Sequence, residues 1–380
     1  MSFKKLAVAV GLASASMATF AADDLSIDAY GTIAVDYYNS DDGRGYGQRA
    51  GVEESYSMNE NTRLGVQAKY DFTDSLSGSA QALVQSQSDS WGVEPAWAYL
   101  DYEVNNDFNI RAGRLRLPIF GESEVLAVGY AYPWVQPPEE MYQQVVQSAY
   151  EGVDALASFD VAGQQIDAQV FGGTTLIDTE FTYRDNRATT SADWVYGLNL
   201  GLPTAIADFR FSYVKANVNF ELDETLQVPT GLTSPFPSSV PVNVDIEDEL
   251  GHFYSAGFKR DVDNVLLIGE WGKRYVEGDS IRDTEAFYLT AGYRIDWTYL
   301  PHITYAQQED LDGEGKQTQI TLGLRWDVMP GVSLKGEVAR IEADDYSGLF
   351  NAKGGANFVQ SDSSLGNDAN MATIAVDFVY

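Results

Sequence analysis

Cysteine is absent from all 380 residues, histidine occurs twice, and lysine and arginine together number 24 against 56 acidic residues. Without cysteine there is no disulfide staple, no thiolate metal site and no thiol nucleophile. The two histidines, His252 and His302, lie far apart and offer no metal-ligand spacing such as a pair four apart on a helix. A formal net charge of −32 excludes nucleic acid as an expected partner, because that recognition rests on basic side chains neutralising phosphates. It equally disfavours a basic patch on anionic lipid. Long apolar runs are also missing: past the N-terminal segment no stretch is long enough for a membrane helix, although 44% hydrophobic residues exclude a disordered chain.

What is present begins with a leader. "MSFKKLAVAVGLASASMATFAADD" sets Lys4 and Lys5 before an apolar run and ends in small residues, which predicts a secretory signal over residues 1–21 and a mature chain of 22–380. The run from Leu6 to Ala22 is short, rich in Ala and Ser, and has no basic stop beyond it, which disfavours a retained anchor.

Beyond the leader one pattern recurs. In "LSIDAYGTIAVDYY", Leu25, Ile27, Ala29, Ile33, Val35 and Tyr37 share one face of an extended chain, while Ser26, Asp28, Tyr30, Thr32 and Asp36 share the other. "QITLGLRWD" sorts Ile320, Leu322, Leu324 and Trp326 from Gln319, Thr321, Arg325 and Asp327, and the terminal "MATIAVDFVY" repeats the division. Sixteen such segments are counted, from about 25–38 to about 371–380, the fourth at about 95–104, with short turns and longer polar segments strictly taking turns between them. Most reach the roughly 9–11 residues that a tilted strand needs to cross a bilayer.

An even count places both termini on the short-turn side, where the first and last strands can pair. A bilayer offers no water to satisfy exposed strand edges, so only a closed barrel crosses it as strands. The predicted fold is all-β, a transmembrane antiparallel up-and-down barrel of about sixteen strands with its apolar face toward lipid. Phe72, Tyr102, Phe108, Phe159, Phe258, Tyr293, Trp326, Phe378 and Tyr380 would form an aromatic girdle at the periplasmic rim. A β-sandwich suits so many up-and-down strands poorly, and the repeated turn signature of a propeller is not seen.

One segment, residues 117–151, breaks the rhythm. It is long, aromatic and apolar, so it is expected to be ordered, and it has the lumen wall to pack on if it folds inward. Within it "PPEEMYQQVVQ" predicts a short helix, with Pro138 near its start and Glu139 and Glu140 in its first turn.

The leader, the sixteen alternating strands, "RAGRLRLP" running into a long third loop, "SAYEGVD" re-entering the barrel and the aromatic C-terminus together resemble the Gram-negative general porins. That resemblance implies a homotrimer in outer-membrane lipid, with the third loop folded into each barrel. It also implies passive diffusion of ions and small hydrophilic solutes; no catalysis and no cofactor are expected, since His252 and His302 stand on different strands without a metal-ligand spacing. The chain departs from the pattern in ending on Tyr380 rather than Phe and in its "GYAYPWVQPPEEMY", so selectivity does not carry across.

The residues themselves suggest electrostatic filtering in a constriction, with Glu122, Glu124, Glu139 and Glu140 on the loop opposed by Arg63, Arg111, Arg114 and Arg116 on the wall. Lys69, Arg210, Arg294, Arg325 and Lys335 lie elsewhere on polar faces. Arg111 is inward by parity but Arg114 is on the lipid parity, where a charge at mid-bilayer costs about 2–4 kcal/mol. A bulge near Gly113 that turns Arg114 inward is therefore expected. The blander readings are rim or subunit pairing for the arginines, and a solvated loop face or helix start for the glutamates.

Three rivals stay open. A barrel phospholipase or protease would need a Ser or Asp system beside His252 or His302. A selective channel could use Tyr30, Trp97, Tyr99 and Tyr288 as a sugar track, or Arg111 with Arg116 for anions. An adhesin could use the Pro-rich "LQVPTGLTSPFPSSVPVN".

Overall fold

The computed structural model describes residues 24–40, 54–87, 90–183, 186–222, 226–229, 239–242, 245–278, 281, 283–311, 315–343 and 368–380. The expected leader at 1–21 and the centre of the Pro-rich segment lie outside the described residues.

Alternating sequence becomes alternating face throughout. Sixteen long strands follow one another: β1 (Leu25–Ser40), β2 (Arg63–Thr73), β3 (Leu76–Gln87), β4 (Ser90–Asn105), β5 (Phe108–Arg116), β6 (Ala149–Val161), β7 (Gln164–Thr174) and β8 (Asn186–Pro203). The second half comprises β9 (Asp208–Leu222), β10 (Asp245–Val262), β11 (Val265–Val276), β12 (Thr284–Tyr293), β13 (Tyr299–Asp310), β14 (Lys316–Met329), β15 (Val332–Ala343) and β16 (Asp368–Val379). Each pairs antiparallel with the next, and β1 pairs with β16 from Tyr30↔Val379 to Ser40↔Ala369, so the sheet closes. Short strands at Glu54–Ser57 and Thr179–Tyr183 extend the ladders of β1 and β8, and Leu226–Pro229 with Ser239–Val242 forms a separate hairpin.

Ile320, Leu322, Leu324 and Trp326 are exposed on the outside of β14, while Thr321 is buried inside. The same division puts Phe72, Tyr102, Phe159, Tyr293, Trp326 and Tyr380 outward and exposed near the short turns, the level expected of an interfacial girdle. Turn chemistry follows the residues. Ala162, Asp263 and Asp296 take positive φ, and the Asp160 carboxylate accepts the Gly163 N–H at 2.8 Å.

Two expectations need correcting. Long and short connections do not strictly alternate, since only residues 88–89 separate β3 from β4. The β4 strand begins at Ser90 rather than near 95 because Pro95 is accommodated at a register shift, where Ala96 is the extra residue opposite Gln81 and Ala82. The expected bulge at Gly113 does not form either. Both ladders of β5 run through it without a shift, and Gly113 instead takes φ +141°, where a side chain would strike the Ala98 carbonyl. Arg114 stays on the row of Ala98 and Glu151, and its charge is met there by the Glu151 carboxylate and by the Pro95 carbonyl at 2.8 Å. Pairing in place makes the inward turn unnecessary.

Between β5 and β6 the chain enters the barrel. Residues 117–148 contain two 3₁₀ turns, Ser123–Val125 and Gly129–Ala131, and one helical turn, α1 (Glu139–Tyr142). The main core lies between this loop and the wall: Leu117, Phe120, Tyr132, Trp134 and Met141 pack on Tyr150, Phe171, Phe253, Tyr288 and Leu300. The helix stops after one turn because Gln144, which would continue it, is used by the wall. Its carbonyl accepts from Arg274 at 2.7 Å and its amide reaches the Gly272 carbonyl at 3.4 Å.

Candidate channel constriction

The wall supplies two complementary sets of polar groups to the loop backbone. Cationic side chains donate to loop carbonyls: Arg210 to Pro118 (2.7 Å), Arg63 to Ala127 (3.1 Å), Arg325 to Tyr130 (2.7 Å), and Lys335 to Gly129 (2.6 Å) and Trp134 (2.5 Å). Carboxylates accept loop N–H groups: Glu270 from Gly121 (2.9 Å) and Glu337 from Val135 (3.0 Å). A loop buried in a lumen has no sheet of its own, so its backbone groups need such partners. Lys335 is fully buried and also meets Asp377 at 2.9 Å, and Asp377 accepts from Thr32 at 2.6 Å. Trp134 donates its indole N–H to Thr304 (2.9 Å) and Thr290 (3.1 Å), which fixes the far end of the loop against β12 and β13.

This pinning redistributes the eight candidate charges. Arg63 is buried, bonded to the Tyr132 hydroxyl as well as to Ala127. Arg116 lies 5.7 Å from the Trp97 ring beneath the loop, and Arg114 is on the outer row. Glu140 is buried and accepts from Gln317 at 2.9 Å, Glu139 opens the helical turn, and Glu122 is tied to Lys259 at 2.8 Å. Of the eight, only Arg111 and Glu124 pair with each other, at 3.8 Å. They are unequal: the Glu124 side chain is 58% exposed and the Arg111 side chain 14%. Arg111 is already held bidentate by buried Asp154, at 2.6 and 3.0 Å, and Gln169 donates to the same carboxylate.

Sequence parity placed Arg111 correctly but missed Asp154, although the two are direct register partners. Asp154 stands on the inward row of "GVDALASFD", which was the available signal. Glu270, Glu337 and Arg274 were missed as well; each is a largely buried charge on the inward row of its strand.

Burial has electrostatic consequences in the loop. The Tyr132 hydroxyl is pushed up to about 12 by desolvation, against the pull of Arg63, and desolvation also raises the Tyr142 hydroxyl well above its usual value, with Tyr288 and Glu270 adding to it. Near the short turns of β2–β5 a cavity of about 1020 Å³ opens, lined by Asp71, Asp74, Asp101 and Glu103 against Lys69, and reaching up to Tyr99. The Tyr99 ring lies 5.4 Å from the Arg111 guanidinium.

The two histidines lie on different strands, β10 and β13, and share no neighbour among the described residues. His302 is buried 3.7 Å from Glu337, and His252 meets the Tyr213 hydroxyl at 3.1 Å. Among the described residues no three His, Asp or Glu side chains are grouped to hold a metal.

No protein-family model matches the chain, and no curated protein matches it in sequence. Solved structures do. OmpT of Vibrio cholerae, an outer-membrane protein also solved in a trimer form, is similar at 14% identity and TM-score 0.59 over 96% of this chain and 100% of that one. An anion-selective porin from Comamonas acidovorans gives 14% identity and TM-score 0.61 over 94% and 100%. The outer membrane channel DcaP of Acinetobacter baumannii gives 13% and 0.57 over 96% and 100%. At such identities the likeness concerns the fold, which is that of the outer-membrane, porin-like barrels.

Proposed function

We propose that this chain is an outer-membrane porin, a water-filled channel for passive diffusion of ions and small hydrophilic solutes. It is exported behind a leader cleaved near residue 21 and works as a homotrimer without catalysis or cofactor. The observation that carries this reading is the third loop, held inside a closed barrel by wall groups on both its carbonyl and its amide side. A plug needs no acid-lined cavity of about 1020 Å³ behind it, whereas a diffusion channel does.

The constriction lies beside Glu124 and Arg111. Because Asp154 already balances Arg111, the net charge left at the narrow point is that of Glu124, and the channel favours cations. A sugar track is less well supported, since Tyr30 and Tyr288 are covered and Trp97 faces Arg116. Trimer assembly is supported by a shallow hollow of about 430 Å³ on the outer face of β2–β5, where Ala68, Gly78, Ala80, Ala98 and Ala112 leave room for another barrel to approach.

Planar-bilayer recording tests the whole reading. Ohmic openings arriving in threes, with a reversal potential of cationic sign across a KCl gradient, are expected. Absence of conductance from a folded, membrane-inserted protein would sink the channel.

A further inference from the structure

The outer half of the lumen holds a second hollow, which ion passage does not require. It lies between the returning limb of the third loop, residues 144–147, and the inner faces of β8–β11, and has a volume of about 80 Å³. A porin lumen is ordinarily polar, yet this wall is built from Val145, Val195, Val214, Ala216, Val218 and Val276. One water occupies roughly 10–15 Å³ of such space and needs two to four polar partners. The hollow is large enough for several waters, but most of its wall offers them no hydrogen bond.

Polar groups do occur in the lining, and several are unspent, among them those of Gln147 and Thr175. The Gln147 side chain donates its amide N–H to the Ala149 carbonyl at 2.6 Å, so its own oxygen points the other way, buried and without a partner among the described residues. The Thr175 hydroxyl oxygen is likewise buried and unpartnered. Both residues line the hollow. Buried polar atoms are normally satisfied, and exceptions call for a missing partner.

We propose that this hollow is a binding subsite for a small neutral alcohol with a compact apolar tail of about four carbons, taken up from the outer mouth of the channel. The tail fills the valine-lined space, and the hydroxyl donates to the Gln147 oxygen while accepting from the Thr175 hydroxyl. A carboxylate is disfavoured because it would face the Gln147 oxygen lone pairs while the Arg274 guanidinium on the same wall already donates to the Gln144 carbonyl, and an ammonium because that guanidinium repels it. The site is independent of the ion preference inferred above: it concerns the outer face of the loop, whereas Glu124 and the acidic cavity concern its edge and inner side.

Saturation-transfer NMR on the full-length mature protein in detergent, with butan-1-ol as the probe and glycerol as the tail-less comparison, tests the assignment. Butan-1-ol is expected to saturate in the millimolar range and glycerol to give no saturable signal. Ala216→Leu and Ala192→Leu, on neighbouring strands, each fill the hollow and should weaken butan-1-ol at least tenfold while single-channel conductance is retained. Gln147→Leu should weaken butan-1-ol about tenfold and leave 1-chlorobutane, which has no hydroxyl to donate, within twofold. Equal saturation by the unaltered protein and the conducting filled variants would mean partition into detergent and overturn the site. So would failure of the unaltered protein to distinguish butan-1-ol from glycerol. An unchanged alcohol affinity in Gln147→Leu would overturn the hydroxyl assignment.

Discussion

Lys335 carries its charge at zero exposure, with the Gly129 and Trp134 carbonyls and the Asp377 carboxylate around it. Removing the ammonium alone strands Asp377, and breaking one half of a buried pair typically costs about 3–5 kcal/mol. Lys335→Met should therefore lower the temperature of heat-induced mobility change on a gel and add flicker to the open-channel current. Lys335→Met with Asp377→Asn should recover much of the loss, because neither charge is then left alone. Tyr132 offers a pH handle of defined sign. Its hydroxyl ionises near 10 in an unfolded chain and only at about 12 in place, so its contribution is complete below pH 10 and is lost as pH rises toward 12. Open-channel noise should rise across that window in the unaltered protein and stay level in Tyr132→Phe. Parity put Arg111 inward but did not find Asp154, although Asp154 stands on the inward row directly opposite it. The fate of Arg63 was not readable, because its partners Ala127 and Tyr132 are 64 and 69 residues away on an irregular loop.

At the scale of elements, the third loop was visible as a loss of alternation, and its inward course followed from its aromatic content. Its path across the wall was not visible, because no periodicity says which inward charge meets which loop amide. The helix expected over "PPEEMYQQVVQ" shortened to α1 for that reason: tertiary partners of Gln144 outbid helix propensity. Gly129 shows how close the fit is. A methyl group there would fall against the Asp377 carboxylate and the Thr32 hydroxyl, the groups that organise the Lys335 contact. Gly129→Ala should push the loop off β16 and β1, giving a larger and noisier conductance with the barrel itself intact, as judged by unchanged β-sheet circular dichroism. An unaltered conductance would mean that the loop at Gly129 does not bear on the passage.

For the whole molecule, barrel closure was the most legible feature, since sixteen alternating strands and paired termini leave no other way to satisfy two edges in lipid. The acidic balance was equally legible, but where it acts depends on the lumen. Asp71, Asp74, Asp101 and Glu103 line a wide cavity with Lys69 as their counterweight, whereas Glu124 faces Arg111 at the narrow point proposed above. Charges across a wide cavity act through water, where screening shortens their reach from about 10 Å at 0.1 M salt to about 3 Å at 1 M. A carboxylate at the proposed constriction comes within a few ångströms of a permeating ion, which is inside even the shorter screening length, so it acts at either salt. The two contributions should thus separate by ionic strength. Asp71→Asn with Asp101→Asn should lower cation preference at 0.1 M KCl and match the unaltered channel at 1 M, while Glu124→Gln should lower it at both. Reversal potentials at a fixed concentration ratio, taken at low and high total salt, check this. Should Glu124→Gln also converge at 1 M, control of selectivity would pass from the constriction to the cavity behind it.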